Sequence, residues 1–439
     1  MLNFILSLLV IVTFSLDASA AKRRRRKKPF TANLELNSYV FTDKDEVGSL
    51  GQESIFEGSL HFKYQKKLSR NLGIILDPTL DFSEYQNSKG DKYFLRAKNT
   101  GLFLNHKRTS LTAGFLSHSF GLSQLFSPLN FVDTASYWSP LESKTLSSPT
   151  LRAMYKTKKI RLFASWLPKR FENIYPGNDS SWFPQRAPGA LMSEGQTFVF
   201  PDLVDYIITD KVDIDRALKD NYVLGFRLKH GPFVSQIIHY KGVDADPAFN
   251  LNLNLTSLDV TPGEEVLQVE NPVVATPVYQ TVERSGVSIR YTLPIKWRLL
   301  YEGNISKGLA NARQGYRESQ THTGGLEWGV PIGKTLLLGV FQVYRSKNSN
   351  SSSLGLVSPF RKAYLLGANW DYKKVSLSAG YFKSQSLEIS LKTFSMTYKV
   401  KKRLSLSFKG TFIDGELAQL LSGVLDLDTL GVKAIYTFK

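Results

Sequence analysis

The sequence predicts an all-β protein: one closed, antiparallel transmembrane β-barrel of about eighteen strands, sixteen if one hairpin is miscounted. Three observations predict it. Beyond residue 30, apolar and polar side chains alternate with period two in segment after segment. These segments run to roughly 10–14 residues, against about 5–6 for an ordinary strand and about 9–11 for a tilted membrane strand. The connectors between them alternate, long then short, as in a barrel with long extracellular loops and short periplasmic turns.

Composition excludes much else. The chain has 439 residues, no Cys, a formal net charge of +18, 42% hydrophobic and 21% charged residues. Without Cys there is no disulfide scaffold, thiol nucleophile or Cys-ligated metal. The hydrophobic share is too low for a bundle of membrane helices, and the aromatic content is too high for a disordered chain.

Residues 1–20 read as a signal peptide. Met1–Phe14 is apolar apart from Asn3, Ser7 and Thr13, and Ala18-Ser19-Ala20 offers a small-x-small cleavage site. The run is too short to span a membrane as a helix. Residues 21–30 form a basic periplasmic tail, Lys22 through Lys28. The tail is expected to be solvated, although positive charge just after the cut opposes translocation. An exported chain does not meet duplex DNA, so no nucleic-acid partner is expected. The interval before the first strand is too short for a plug domain.

The barrel occupies 31–439. Its strands are placed at 31–42, 53–66, 70–83, 92–105, 109–120, 149–157, 159–167, 220–229 and 232–241, then at 283–293, 295–305, 320–330, 333–345, 359–372, 374–386, 388–400, 402–413 and 427–438. Phe56, Leu60, Phe62 and Tyr64 alternate with Glu57, Ser59, His61 and Lys63; Tyr364, Leu366, Trp370 and Tyr372 alternate with Asn369 and Asp371. Aromatics gather at segment ends, among them Tyr39, Tyr291, Tyr344, Tyr372, Tyr398 and Tyr436, where interfacial girdles would sit. Open edges cannot persist in hydrocarbon, so the last strand should pair with the first.

The terminal run Leu430-Gly431-Val432-Lys433-Ala434-Ile435-Tyr436-Thr437-Phe438 is similar to the closing strand of Gram-negative outer-membrane porins, except that Lys439 follows the aromatic. The loops holding Trp166-Leu167-Pro168 and Ser181-Trp182-Phe183-Pro184 also resemble those of large porin-like barrels, including alginate-exporter types. The resemblance implies residence in the cell outer membrane, among lipid and lipopolysaccharide, after delivery by the barrel-assembly machinery. It implies a channel and names no substrate.

A barrel this wide holds water, so the polar half of each strand faces a channel. Alternation turns Arg96, Lys98, Arg152, Arg161, Arg227, Lys229, Arg290, Arg298 and Arg361 inward as pore-lining residues, with Lys156, Lys392, Lys409 and Lys433. The inward acids are fewer: Glu57, Asp77, Asp81, Glu302 and Asp371. Basic rings favour anions; the alternative is that these charges merely keep the wall wet or pair with one another. The loop at 121–148 carries Phe126, Phe131, Tyr137 and Trp138, and is expected to fold into the pore as a constriction or to form an outer lid. A short helix is expected at 210–220. The acidic loop at 242–282 lacks an EF-hand pattern, so no metal is assigned, although its acids could bridge through divalent cations to lipopolysaccharide.

No hydrolase elbow, zinc-protease pair or P-loop is present. His118 stands between Ser117 and Ser119, but adjacent strand residues face opposite ways, so the triplet cannot by itself form a catalytic pair, and a partner would have to come from a neighbouring strand. The expectation is a non-enzymatic, cofactor-free channel for passive diffusion of small hydrophilic, anionic solutes. The alternative is a non-conducting surface barrel whose loops bind a partner or polymer.

Overall fold

Alternation along the chain becomes two faces of one sheet. A computed structural model describes residues 30–41, 54–87, 89–123, 126–136, 138, 144–175, 177, 185–186, 189–193, 196–200, 204–208, 219–244, 248–252, 254–261, 264–270, 273–279, 281–295, 297–308, 318–332, 335–348, 362–385, 390–414 and 428–438. The signal peptide, the basic tail, Tyr137, Arg361 and most of the expected helix at 210–220 lie outside them; Lys219 and Asp220 open a strand instead.

Eighteen antiparallel strands close into a barrel. They are β1 Phe30–Phe41, β2 Ser54–Lys67, β3 Leu72–Leu76 with Pro78–Ser83, β4 Tyr93–Ala97 with Thr100–His106, β5 Thr109–Leu116 and β6 Ser148–Lys156. Next come β7 Ile160–Lys169, β8 Lys219–His230, β9 Phe233–Val243, β10 Thr281–Thr292, β11 Arg298–Gly308 and β12 Glu318–Ile332. The wall ends with β13 Thr335–Asn348, β14 Lys362–Tyr372, β15 Val375–Ser384, β16 Ser390–Lys399, β17 Leu404–Asp414 and β18 Thr429–Phe438. Each pairs with its neighbours, and β18 closes on β1 with Leu34 opposite Tyr436. Closure leaves no unpaired edge for hydrocarbon to penalise.

One face carries exposed apolar side chains, including Leu102, Leu111, Leu162, Leu224, Phe341 and Leu366. The other carries buried polar ones, including Asn37, Glu57, Gln236, Ser288, Glu302 and Gln342. A soluble sheet would bury its apolar face; here that face is outermost, as a barrel wall in lipid requires. Tyr155, Tyr291, Tyr372, Tyr398 and Tyr436 are exposed on it near the short-turn end. Tyr39 and Tyr344, expected in the same girdle, are buried on the inward face. Leu224 stands mid-strand on the lipid face, half exposed. Leu224→Arg should cost about 2–4 kcal/mol if it lies near the midplane. Denaturant titration of vesicle-refolded protein would measure this, and an unchanged midpoint would place the membrane elsewhere.

The alternation breaks once in a way the sequence pattern did not show. Pro78 has no N–H to give the ladder, and Asn99 takes a positive φ of 50°. The gap is bridged locally. The Asp77 N–H donates to Thr100 Oγ1 at 2.8 Å, and the Lys98 N–H donates to the Asp77 carbonyl at 2.9 Å. Lys98 therefore sits between the two segments of β4, exposed, and alternation no longer assigns it to the lumen. Lys392 is also corrected: in β16 it shares the outward face with Phe394 and Met396 and lies 3.9 Å from Asp414 at the rim.

The connectors expected as loops after β7 and β9 contain strands. Gln185–Arg186 and Val204–Ile208 join Val273–Val278 and Ala248–Asn252 in one small sheet. Gly189–Ser193 and Gln196–Phe200 join Glu264–Val269 and Leu255–Thr261 in another.

Candidate functional site: an inner loop and the wall it leans on

The segment between β5 and β6 folds into the lumen. Phe120, Leu129, Phe131 and Val132 pack on Leu167, Val223, Ile238, Tyr240 and Val282, inward residues of β7 to β10. These side chains are withdrawn from water, each contributing about 1.5–3 kcal/mol as an upper figure. Gly286 provides the clearance: a Cβ there would stand 2.2 Å from Leu129 Cδ2.

Polar anchors fix the loop's position. Glu302 of β11 is fully buried, and its Oε1 accepts from the N–H groups of Leu122 (2.5 Å) and Ser123 (3.2 Å) and from Ser288 Oγ (3.1 Å). Gln342 of β13 accepts from the Phe126 N–H at 3.1 Å and donates to Ser123 Oγ. Gln236 of β9 donates to the Phe120 carbonyl at 2.7 Å. Arg170, with no exposed surface, donates to Tyr240 Oη at 2.9 Å, to the Val243 carbonyl and to the Phe131 carbonyl.

The loop then reaches the wall on the other side. Its hairpin of Thr134–Ser136 and Lys144–Leu146 places Lys144 Nζ 3.1 Å from Asp81 of β3. Trp138, Leu146 and Ile174 pack with Phe94 of β4. β3 and β13 lie on widely separated arcs of the barrel, so the segment bridges the lumen. Of the aromatics expected in a constriction, Phe126 packs edge-on to Tyr344, Phe131 joins the cluster beside Arg284, and Trp138 joins the second cluster.

His118 ties the start of this segment to its middle. Its N–H donates to Asp133 Oδ2 at 2.6 Å, and its Nδ1 lies 3.0 Å from Asp133 Oδ1. Burial pushes His118 below the ordinary histidine value of 6.5; Asp133 pulls it up, and Arg152 and Arg170 add to the lowering. The docked histidine thus holds fewer protons than the released one. Docking is strongest above pH 6.5 and weakens as pH falls through that value. Current noise recorded from pH 8 down to pH 5 should grow on the acid side. His118→Asn should flatten that dependence, and a profile identical to the parent's would exclude His118 as its source.

The cations on the inward face fall into two groups. Arg96 pairs with Asp81, Arg298 with Glu327 at 3.3 Å, Lys433 with Glu35, and Arg284 with Asp244 at 2.5 Å. Arg161, Arg227, Lys229 and Arg290 have no acidic partner among the described residues. Arg161 and Arg227 are direct cross-strand partners, and Arg290 stands near enough to repel Arg227 as Arg161 does. Lys156 extends this group opposite Arg161, and Arg152, on the same face of β6, lies near Asp133. Arg161, Arg227, Lys229 and Arg290 belong to the half of the wall toward the short turns; Arg284 and Arg170 lie toward the long loops. Lys409 shares the inward face of β17.

Sequence reasoning did not single out Arg284, Gln236, Gln342 or Arg170. The first three have inward parity in strands whose alternation was legible. Arg170 follows a strand end and had no such signal. Among the described residues, no group of His, Asp or Glu is arranged to hold a metal ion.

No protein-family profile matches the sequence, and no curated protein sequence matches it. Solved structures do match in fold. OccAB3 of Acinetobacter baumannii is 10% identical, with a TM-score of 0.52 over 93% of this chain and 99% of that one. OpdL of Pseudomonas aeruginosa is 12% identical, with a TM-score of 0.51 over 93% and 98%. OpdK of Pseudomonas aeruginosa, solved with vanillate, is 10% identical, with a TM-score of 0.52 over 93% and 98%. The fold is that of a Gram-negative porin-like barrel. In this porin-like barrel the eighteen-strand count, the closure of β18 on β1 and the long-loop/short-turn asymmetry agree with the sequence expectation.

Proposed function

We propose that the chain is an outer-membrane channel for passive diffusion of small hydrophilic solutes, with a preference for anions. The observation that carries this reading is the set of inward cations without acidic partners among the described residues, Arg161, Arg227 and Arg290, in a barrel whose other inward arginines are largely paired. Cations held together on a low-dielectric wall attract anions and repel cations. The likeness to OpdK, solved with vanillate, supports an organic carboxylate as one solute of that class. Outer-membrane lipid and lipopolysaccharide would surround the barrel, and the assembly machinery would insert it.

A second reading is a non-conducting surface barrel whose long loops bind a partner or polymer. The bridging of the lumen by the inner loop favours it. Planar bilayers with a salt gradient separate the two. Stepwise current with a zero-current potential toward the anion equilibrium value supports the channel. A sealed bilayer leaves the surface barrel, and a potential of the opposite sign removes the anion preference.

A further inference from the structure

Above the inner loop, toward the long-loop mouth, lies a cavity of about 420 Å³ between the loop and the inward face of β10 to β13. That volume lies within the range of about 300–1,000 Å³ usual for small-molecule sites. Its lining differs in kind from the cationic wall below. Phe126, Phe131 and Tyr344 supply aromatic surface, and most of the remaining lining is Ser, Thr and Asn.

Apart from Arg284, which pairs with Asp244, four lining side chains are more than nine-tenths buried and have a polar atom with no partner among the described residues. They are His118 Nε2, Thr134 Oγ1, Asn304 Oδ1 and Ser346 Oγ. A buried polar atom left unpaired costs about 1–3 kcal/mol, and small side-chain rotations would let these four groups hydrogen-bond a solute seated in the cavity. Among the described residues the charged members of the lining are Asp133 and Arg284, which are engaged by His118 and Asp244 respectively. Their formal charges cancel, so an anion bound here would meet no net positive charge.

We infer that this cavity is a binding site for a neutral polyhydroxylated solute, a sugar or polyol, whose hydroxyls meet His118, Thr134, Asn304 and Ser346 while its C–H faces lie on Phe126 and Tyr344. Hydroxyls both donate and accept, as this mixed lining requires, whereas a carboxylate only accepts and would be desolvated among described groups whose charges already balance. The site goes beyond the anion reading of the wall. It adds a capture step for uncharged solute at the outer face of the constriction.

The test is equilibrium dialysis of the full chain, refolded in detergent, with radiolabelled glucose and with glucuronate, which keeps the sugar ring and differs chiefly by one carboxylate. Glucose should saturate at one site per chain, and glucuronate should bind at least about tenfold more weakly. Thr134→Val keeps the side-chain shape and should weaken glucose about tenfold, as should Asn304→Leu. Glucuronate binding as tightly as glucose, no saturation by either, or full glucose affinity in a correctly folded Thr134→Val protein would each overturn the inference. Dialysis needs no current, so a sealed lumen would remove the channel and leave this site standing. An anion-selective current without glucose binding would do the reverse.

Discussion

Glu302→Ala should release the inner loop from the barrel wall and raise mean single-channel conductance about twofold or more, since each buried donor left unmade costs about 1–3 kcal/mol. The carboxylate holds the N–H groups of Leu122 and Ser123 and the hydroxyl of Ser288 through one oxygen, in a site with no exposed surface. Alanine removes the acceptor from all three at once. The loop keeps its apolar contacts at Leu129 and Phe131 and its bonds to Gln342 and Gln236, so it should sample docked and undocked positions rather than unfold. Glu302→Gln keeps an acceptor oxygen in place and should remain near the parent. Single-channel recordings of the three proteins, each checked for heat-modifiable mobility, test this. Equal conductance in the alanine variant would show that the loop is not what limits the current.

Arg161→Glu combined with Arg227→Glu should reverse the sign of selectivity. Two cations that face each other across β7 and β8 without an acidic partner among the described residues become two anions, beside Arg290 and Lys229. Electrostatic selectivity is steep where charge is concentrated on a low-dielectric wall. An anion-to-cation permeability ratio lowered at least about tenfold corresponds to roughly 1.4 kcal/mol, a modest demand for four units of charge change. The control is Lys392→Glu, a two-unit change on the outward face near Asp414, which should leave the zero-current potential unmoved. An equal shift in the control would mean that overall net charge, not the lumen wall, sets selectivity.

Strand positions were legible because their signal is local. In a barrel wall each residue meets lipid or lumen according to parity alone, so Leu224, Leu366 and Tyr436 could be turned outward from their neighbours in sequence. The exceptions have local causes. Pro78 and Asn99 interrupt β3 and β4 and free Lys98 from the alternation, and Tyr39 lies on the inward face of β1 against Gly431. Inward apolar residues were a signal passed over. Leu167, Val223, Ile238 and Val282 have no reason to face water, and together they mark where the loop docks.

By itself, the sequence determined an all-β chain that must close, with about eighteen strands, and which ends bear long loops. Those properties follow from short-range periodicity and composition. Only the tertiary structure decided that the loop after β5 crosses the lumen, that Glu302 and Gln342 hold it, and which arginines keep an unshared charge. Such outcomes depend on partners far apart in the chain, Leu122 with Glu302 across 180 positions and Phe126 with Gln342 across 216. Hydrogen bonds and ion pairs act over a few ångströms, and only closing the barrel brings those groups within that range.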